Sequence, residues 1–297
     1  MAVTTTLTIT NIQQKVIGPM RLTLKDDTGV IKAAFSRELG RPGMDDTYNS
    51  PKLPGVTAFG LTEGVDMTTE TLVDSNVPVS ATEVGVAVEM SKKMLRTTQR
   101  DVFLTDAGVA IGSAMKVKQE QDLATLGDGF SNVVGLDGSS ATIGYLSAAQ
   151  AQLRANTEPI SESEMARVRA VISPAGWHDL SQMLFPTGSG DSHAPNTPTP
   201  ASVAERTLGR YGPSGVYFGM PIHLSNNLVT STNDVRSFIC HQKAGMMYEF
   251  MPMEVEIDDS DKSLRSIELI AVMDYGYVEL NDGFGRELDH DNSSPTS

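Results

Sequence analysis

The chain is poor in cysteine, tryptophan and basic side chains, and it has no long apolar run. Of its 297 residues one is cysteine, Cys240. A single thiol closes no disulfide within the chain and builds no thiolate metal cage. No apolar run approaches the roughly 20 residues that a membrane-spanning helix needs. The opening MAVTTTLTIT lacks the basic start and apolar block of a signal peptide. A reducing cytoplasm is therefore the expected place of synthesis. Lysine and arginine number 23 against 37 aspartates and glutamates, a formal net charge of −14. That balance excludes a sequence-reading DNA binder that works through a basic surface.

What is present is enough apolar material, 39% of residues, for one large core or two modest ones. The charge is uneven. Residues 1–41 hold six basic residues (Lys15, Arg21, Lys25, Lys32, Arg37, Arg41) against Asp26, Asp27 and Glu38, a net of +3. Residues 254–291 hold twelve acids against Lys262, Arg265 and Arg286, a net of −9. Two readings stand side by side: a basic arm and an acidic end that attract each other, or two solvated surfaces.

Periodicity sorts the chain into segments. Residues 1–50 have little and read as an extended arm with short ordered pieces. Val77, Val79 and Ala81 alternate, then Val84, Val86, Val88 and Met90. The parity flips near Thr82–Gly85, which predicts a bulge or bend. Before these strands lies TEGVDMTTETLVDSN, a polar, acidic stretch read as the solvated tip of a long β excursion. TDAGVAIGSAMKVKQEQDLATLGDG predicts a helix over 105–126, capped by Thr105, with Ala107, Ala110, Ile111 and Ala114 on a small-residue face and a more exposed second half. A second helix is expected over 147–156, capped by Ser147, with Ala149 and Leu153 inward. ARVRAVIS reads as a strand. SPAGWHDLSQML reads as a helix opened by Pro174, with Trp177, Leu180 and Leu184 on its buried side. Residues 186–202 form a Pro/Gly/Ser/Thr-rich loop. Val216 to Leu224 alternate as one half-buried strand, an edge or a bulge at Pro221. Met251, Met253, Val255 and Ile257, then Ile267, Leu269, Ala271, Met273, Tyr275 and Tyr277, mark a hairpin turned by DDSDKS. Residues 286–297 have no core residue beyond Leu288 and read as a frayed acidic tail.

No chemistry-bearing constellation emerges. His178, His193, His223, His241 and His290 lack metal-ligand spacing. Cys240 and His241 adjoin, but neighbours on a strand point to opposite faces. GSGDS at 188–192 is not the nucleophile elbow, and GDGFSNVVG follows a helix instead of opening one. The acids at 258–261 lack the calcium-loop pattern. His223, Ser225, Asn226 and Asn227 gather in YFGMPIHLSNNL, where the asparagine pair is what a turn needs. The expectation is therefore no catalytic, cofactor-binding or metal residue, and no cofactor.

The order of segments carries a resemblance. VPVSATEVGVAVEMSKKM (77–94), the Ala-rich helix 105–126, VRAVISPAGWHDL (168–180), YGPSGVYFGMPIHLSNNL (211–228), FICHQKAGMMYEFMPMEVEID (238–258) and LIAVMDYGYVEL (269–280) together resemble tailed-bacteriophage major capsid proteins of the HK97-like fold over roughly residues 30–280. The resemblance implies an α+β chain with an N-terminal arm (1–50), an extended β-hairpin loop (51–94), intertwined peripheral and axial domains around a long spine helix (95–285), and a flexible acidic tail (286–297). It implies a structural virion protein, not an enzyme. Its copies would form hexamers and pentamers of an icosahedral shell around double-stranded DNA, without sequence-specific contact. Synthesis in a host cytoplasm, separate scaffolding, portal and decoration proteins, and no membrane partner follow from the same likeness. Family members with cross-linked shells use a lysine in the extended loop; residues 62–76 contain none, so a non-covalent shell is expected. A long scaffolding segment before the arm is also missing, so any scaffold is expected as a separate protein or a piece already removed. Two alternatives remain: an encapsulin-like bacterial nanocompartment shell, and a soluble hydrolase using His223 or His241.

Overall fold

The computed structural model describes residues 29–40, 45–52, 56, 58–67, 69, 71, 75–93, 100–156, 160–161, 163–184, 216–217, 219–258 and 265–293. In chain order the strands are β1 (Ser36–Leu39), β2 (Thr47–Lys52), β3 (Ser75–Ser80), β4 (Thr82–Ser91), β5 (Val133–Gly135), β6 (Val168–Ile172), β7 (Val216–Tyr217), β8 (Met220–Leu224), β9 (Val229–Ser231), β10 (Asp234–His241), β11 (Gly245–Asp258), β12 (Ser266–Glu279) and β13 (Gly285–Asp291). The helices among these residues are α1 (Arg100–Asp128), α2 (Ile143–Arg154) and α3 (Pro174–Leu184).

Alternation builds the first sheet. β11 and β12 pair antiparallel along nearly their whole length, β4 adds to β12, and β1 adds in parallel to β11. Leu269, Ala271, Met273 and Tyr275 are buried on one face, with Val84, Val86, Val88 and Met90 of β4 beside them. α1 lies across that face and supplies Ile111, Met115, Leu123 and Ala124. Tyr277, expected inward, is exposed instead. The β11–β12 register shifts twice, around Met251, so the alternation does not run unbroken along the ladder.

The second sheet has seven strands in the order β5-β13-β10-β6-β8-β7, with β9 pairing β10 beyond the end of β6. α2 and α3 pack against it through Leu146, Ala149, Leu153 and Leu180, around Ile172, Ile222, Ile239 and Leu288. A two-stranded hairpin, β2–β3, leaves the first sheet and leads to the excursion at 53–74. Its base packs Tyr48, Val79 and Ala81 on Met246, Tyr248 and Phe250.

Several expectations are corrected. The tail is the largest correction: Gly285–Asp291 is an interior strand between β5 and β10, buried at every position up to His290. Its acids looked solvated because no apolar neighbours flag burial; their polar partners come from distant segments. β1 is one of the short ordered pieces expected within 1–50, whereas the outer hairpin strand begins at Thr47, before the boundary drawn at residue 51. Residues 1–28, the loop at 186–202 and the turn at 259–264 lie outside the described residues. The parity flip is real, and it falls at Ala81, where β3 ends and β4 begins.

The long helix begins at Arg100, since neither Gly nor Pro interrupts 100–105. Ala110 and Ala114 are exposed; the buried stripe is Gly108, Ile111, Gly112 and Met115. The second half is not more exposed. Gln119 and Glu120 are buried because the start of the described chain comes to them. Val30 N donates to Glu120 Oε1 at 3.1 Å and Lys32 Nζ to Gln119 Oε1 at 3.2 Å. The α2 cap is Thr142, whose Oγ1 accepts from Tyr145 N at 3.3 Å, not Ser147. Ala149 and Leu153 are fully buried as expected. Trp177 is only half-buried, at the edge of the second core. The single strand expected over 216–224 folds back on itself: Gly219, at φ +83°, turns β7 against β8.

Candidate functional site

The polar residues singled out in the sequence are drawn apart. His223 meets Arg169 across neighbouring strands, Nε2 to Nη1 at 3.2 Å, and burial pushes its pKa down. Ser225 Oγ accepts from Asn227 N at 3.2 Å, closing a small turn. The Asn227 amide reaches away to Glu120 on α1. These side chains hold β8 and the following turn in place; they do not converge on a common point.

His241 is buried, and its two nitrogens are both engaged. Nδ1 accepts from Lys243 N at 3.2 Å, so Nε2 carries the proton and donates to Glu164 Oε2 at 3.1 Å. Burial lowers its pKa more than Glu164 raises it. Cys240 projects into the first core, its Sγ 3.7 Å from Ala34 O, and burial pushes the thiol pKa far up. Thiol and imidazole make no pair. His290 Nδ1 donates to Asp291 O at 3.0 Å, and its Nε2 accepts from Ser237 Oγ at 2.8 Å. That is a nucleophile–base geometry in outline, but Ser237 has no solvent exposure. It clasps β10 to β13. A small pocket beside it is lined mainly by Ala141, Leu146, Ile172, Leu180 and Leu288, and offers little polar chemistry. Among the described residues no group of three or more His, Cys, Asp or Glu is placed to hold a metal. His178 lies on α3, and His193 is outside the described residues.

The most concentrated polar feature is one the sequence reading missed. Arg236 on β10 is ringed by Asp289, by Glu287 at 3.3 Å, by Asp137 at 3.4 Å and by Asp128 at 4.0 Å. It ties the end of α1, the loop after β5 and the last strand together. Burial, and then the hydrogen bond with Asp289, push the Glu287 pKa up to about 8. A carboxyl kept protonated near neutrality can share a proton with its neighbour, which relieves two buried like charges. The sequence signal was present as Glu287, Asp289 and Asp291 alternating after a Gly, but a strand of polar residues is not separable from a solvated tail without its partners.

Surface chemistry is concentrated elsewhere. Val56, Leu61, Val65 and Met67 are each at least 65% exposed, and Phe59 is 49% exposed. All five belong to the excursion. Leu39 on β1, and Val133 and Leu136 at the β5 edge of the second sheet, are exposed as well. Large apolar side chains are thus grouped on one exposed segment, an arrangement uncommon on a surface that meets only water. Lys52, at the root of that segment, is tied back to the core through Leu280 O at 3.2 Å.

The family model described as phage capsid protein matches residues 74–283, well over half the chain. No curated protein matches the sequence. Among solved structures, the capsid of the cyanophage P-SCSP1u is similar at 14% identity and a TM-score of 0.61, covering 89% of this chain and 88% of that one. The capsid of Ralstonia phage GP4 is similar at 14% identity and a TM-score of 0.63, covering 89% and 88%. The capsid of the native GTA particle is similar at 10% identity and a TM-score of 0.63, covering 88% and 89%. At such identities the likeness establishes the fold, which is HK97-like. The chain belongs to the phage capsid protein family and is a structural, non-enzymatic component of the virion.

Proposed function

We propose that copies of this chain form hexamers and pentamers that close an icosahedral shell around double-stranded DNA, with no sequence-specific contact. The observation that carries the reading is the excursion at 53–74, with its five exposed apolar side chains. A two-stranded hairpin with bare apolar groups is marginal alone and must lie on another surface. At about 3.3 Å per residue, ten residues reach about 33 Å, enough to cross onto a neighbour. The excursion is the extended loop of this reading, its outer strand starting at Thr47. The four-stranded sheet with α1 is the peripheral domain and the seven-stranded sheet with α2 and α3 the axial domain. The root lysine is already engaged and the tip has none, which supports a non-covalent shell. The reading includes synthesis in a host cytoplasm and separate scaffolding, portal and decoration proteins.

Replacing residues 63–74 with a short Gly-containing turn tests it. The subunit keeps its circular dichroism and its melt within about 1 kcal/mol, as a surface change does. Electron microscopy should show shells for the parent and none, or distorted ones, for the deletion. Normal shells from the deleted chain would refute the loop as the clamp. Nucleic acid in the purified particles supports a virion; an enzyme cargo in its place supports the nanocompartment.

A further inference from the structure

The outer face of the four-stranded sheet, opposite α1, is divided in two. One half is apolar and covered by the base of the β2–β3 hairpin. The other half is bare and acidic. Glu254 and Glu256 on β11 and Glu83 and Glu89 on β4 are exposed, and Glu268 and Asp274 on β12 are half-exposed between them. Ile270 and Val272, also half-exposed, form a narrow apolar strip down the middle. The register sets Glu89 opposite Glu268 and Glu83 opposite Asp274. Like charges directly opposite each other destabilise a sheet. Among the described residues no ion pair reaches any of these six acids. The lone subunit carries a cost that a cationic partner would remove.

Two segments of the chain are candidates to cover this face, and charge separates them. Residues 53–74 carry Glu63, Asp66, Glu70 and Asp74 and no Lys or Arg. The acidic sheet repels that loop. Residues 1–25 carry Lys15, Arg21 and Lys25 and no Asp or Glu. In RLTLK, Leu22 and Leu24 alternate with the basic residues, so one short extended segment offers both cations and apolar contacts. Val30 is fixed to Glu120 of α1, on the opposite side of the sheet. An occupant joined to the chain at that point would have to pass around its own sheet to reach its own acidic face, which favours a neighbour's.

We propose that residues 15–25 of one copy dock on the acidic face of the four-stranded sheet of a second copy. The inference rests on the shell reading above. Its test is a charge exchange in the full chain. One variant carries K15E, R21E and K25E, one carries E254K, E256K and E268K, and one carries all six. Particle yield is read by sedimentation and microscopy at low and high salt. Each single set should reduce yield about tenfold at low salt, and the combination should recover to within about twofold, the signature of coupled sites. Wild-type yield should fall several-fold when salt shortens the screening length from about 10 Å to about 3 Å. The face variant should melt no lower than wild type, which excludes misfolding as the cause of its loss.

A second readout uses the buried state of the sole cysteine. R21C combined with E256C should give covalent dimers on oxidation; a closed loop within one chain would overturn the copy-to-copy assignment. Normal yield from the arm variant, or a combination no better than its parts, would overturn the docking while leaving the shell reading intact. A wild type that forms no particle at any salt would overturn both.

Discussion

Glu254, Glu256 and Asp258 on β11, and Glu287, Asp289 and Asp291 on β13, are each three acids at every second position. Their environments are opposite. The β11 set projects from the bare half of the outer face, fully exposed. Of the β13 set, Glu287 and Asp289 are buried around Arg236, between the end of α1 and the loop after β5. Alternation fixes which side of a strand a residue takes. Whether that side is covered depends on what the rest of the chain places over it. The same charges are therefore an internal fastening in one sheet and an exposed face in the other.

The largest expected effect is at the fastening. Arg236→Met leaves Glu287 and Asp289 buried without their cation and should cost about 3–5 kcal/mol in urea unfolding of the unassembled subunit. Glu256→Gln on the outer face should change stability by no more than about 0.5 kcal/mol. Equal losses at the two positions would erase the distinction between the strands.

A smaller effect should appear with pH. The Glu287 pKa is raised to about 8, so the native state holds a proton that the unfolded chain has already released. Stability contributed by that proton is fully present below the ordinary carboxyl pKa, declines as pH rises from there, and is gone above about 8. The buried histidines act with the opposite sign, because their pKa values are lowered, but they do so below about pH 6.5. Between pH 6.5 and 8, then, stability should fall with rising pH, and Glu287→Gln should flatten that slope. Glu256→Gln should leave it unchanged. An identical slope in the Glu287 variant would remove this carboxyl from the account.

The smallest effect has the opposite sign. Glu89→Lys turns a like-charged cross-strand pair with Glu268 into an opposite-charged one and should stabilise the lone subunit by about 0.2–1 kcal/mol. A thermal melt of the unassembled chain measures it. A destabilised variant would mean that the outer face is already compensated within the subunit.

Much of the fold was legible where burial is written in apolar residues. The β11–β12 hairpin, the parity flip between β3 and β4, the strand and helix around Pro174 and the inward Ala149 and Leu153 all follow from periodicity. Legibility failed where burial is polar or depends on a glycine. β13 is buried through Arg236, Ser237 and the loop after β5, none of which is near it in sequence. On α1, Gly108 and Gly112 are buried and Ala110 and Ala114 are exposed, and a pattern of small residues does not say which of them turn inward. The tip of the excursion was read as polar, yet Val65 and Met67 within it are exposed apolar side chains, as are Val56, Phe59 and Leu61 just before it.

The sequence by itself determined the class of protein. The fixed order of β, spine-helix and β phrases is what carries the likeness to phage capsid proteins, because such phrases depend only on residue type and local period. The tertiary structure decided which charges are spent inside the subunit and which are left for other molecules. That division depends on contacts between residues more than fifty positions apart, Arg236 with Asp289 and Val30 with Glu120, and no local pattern encodes them.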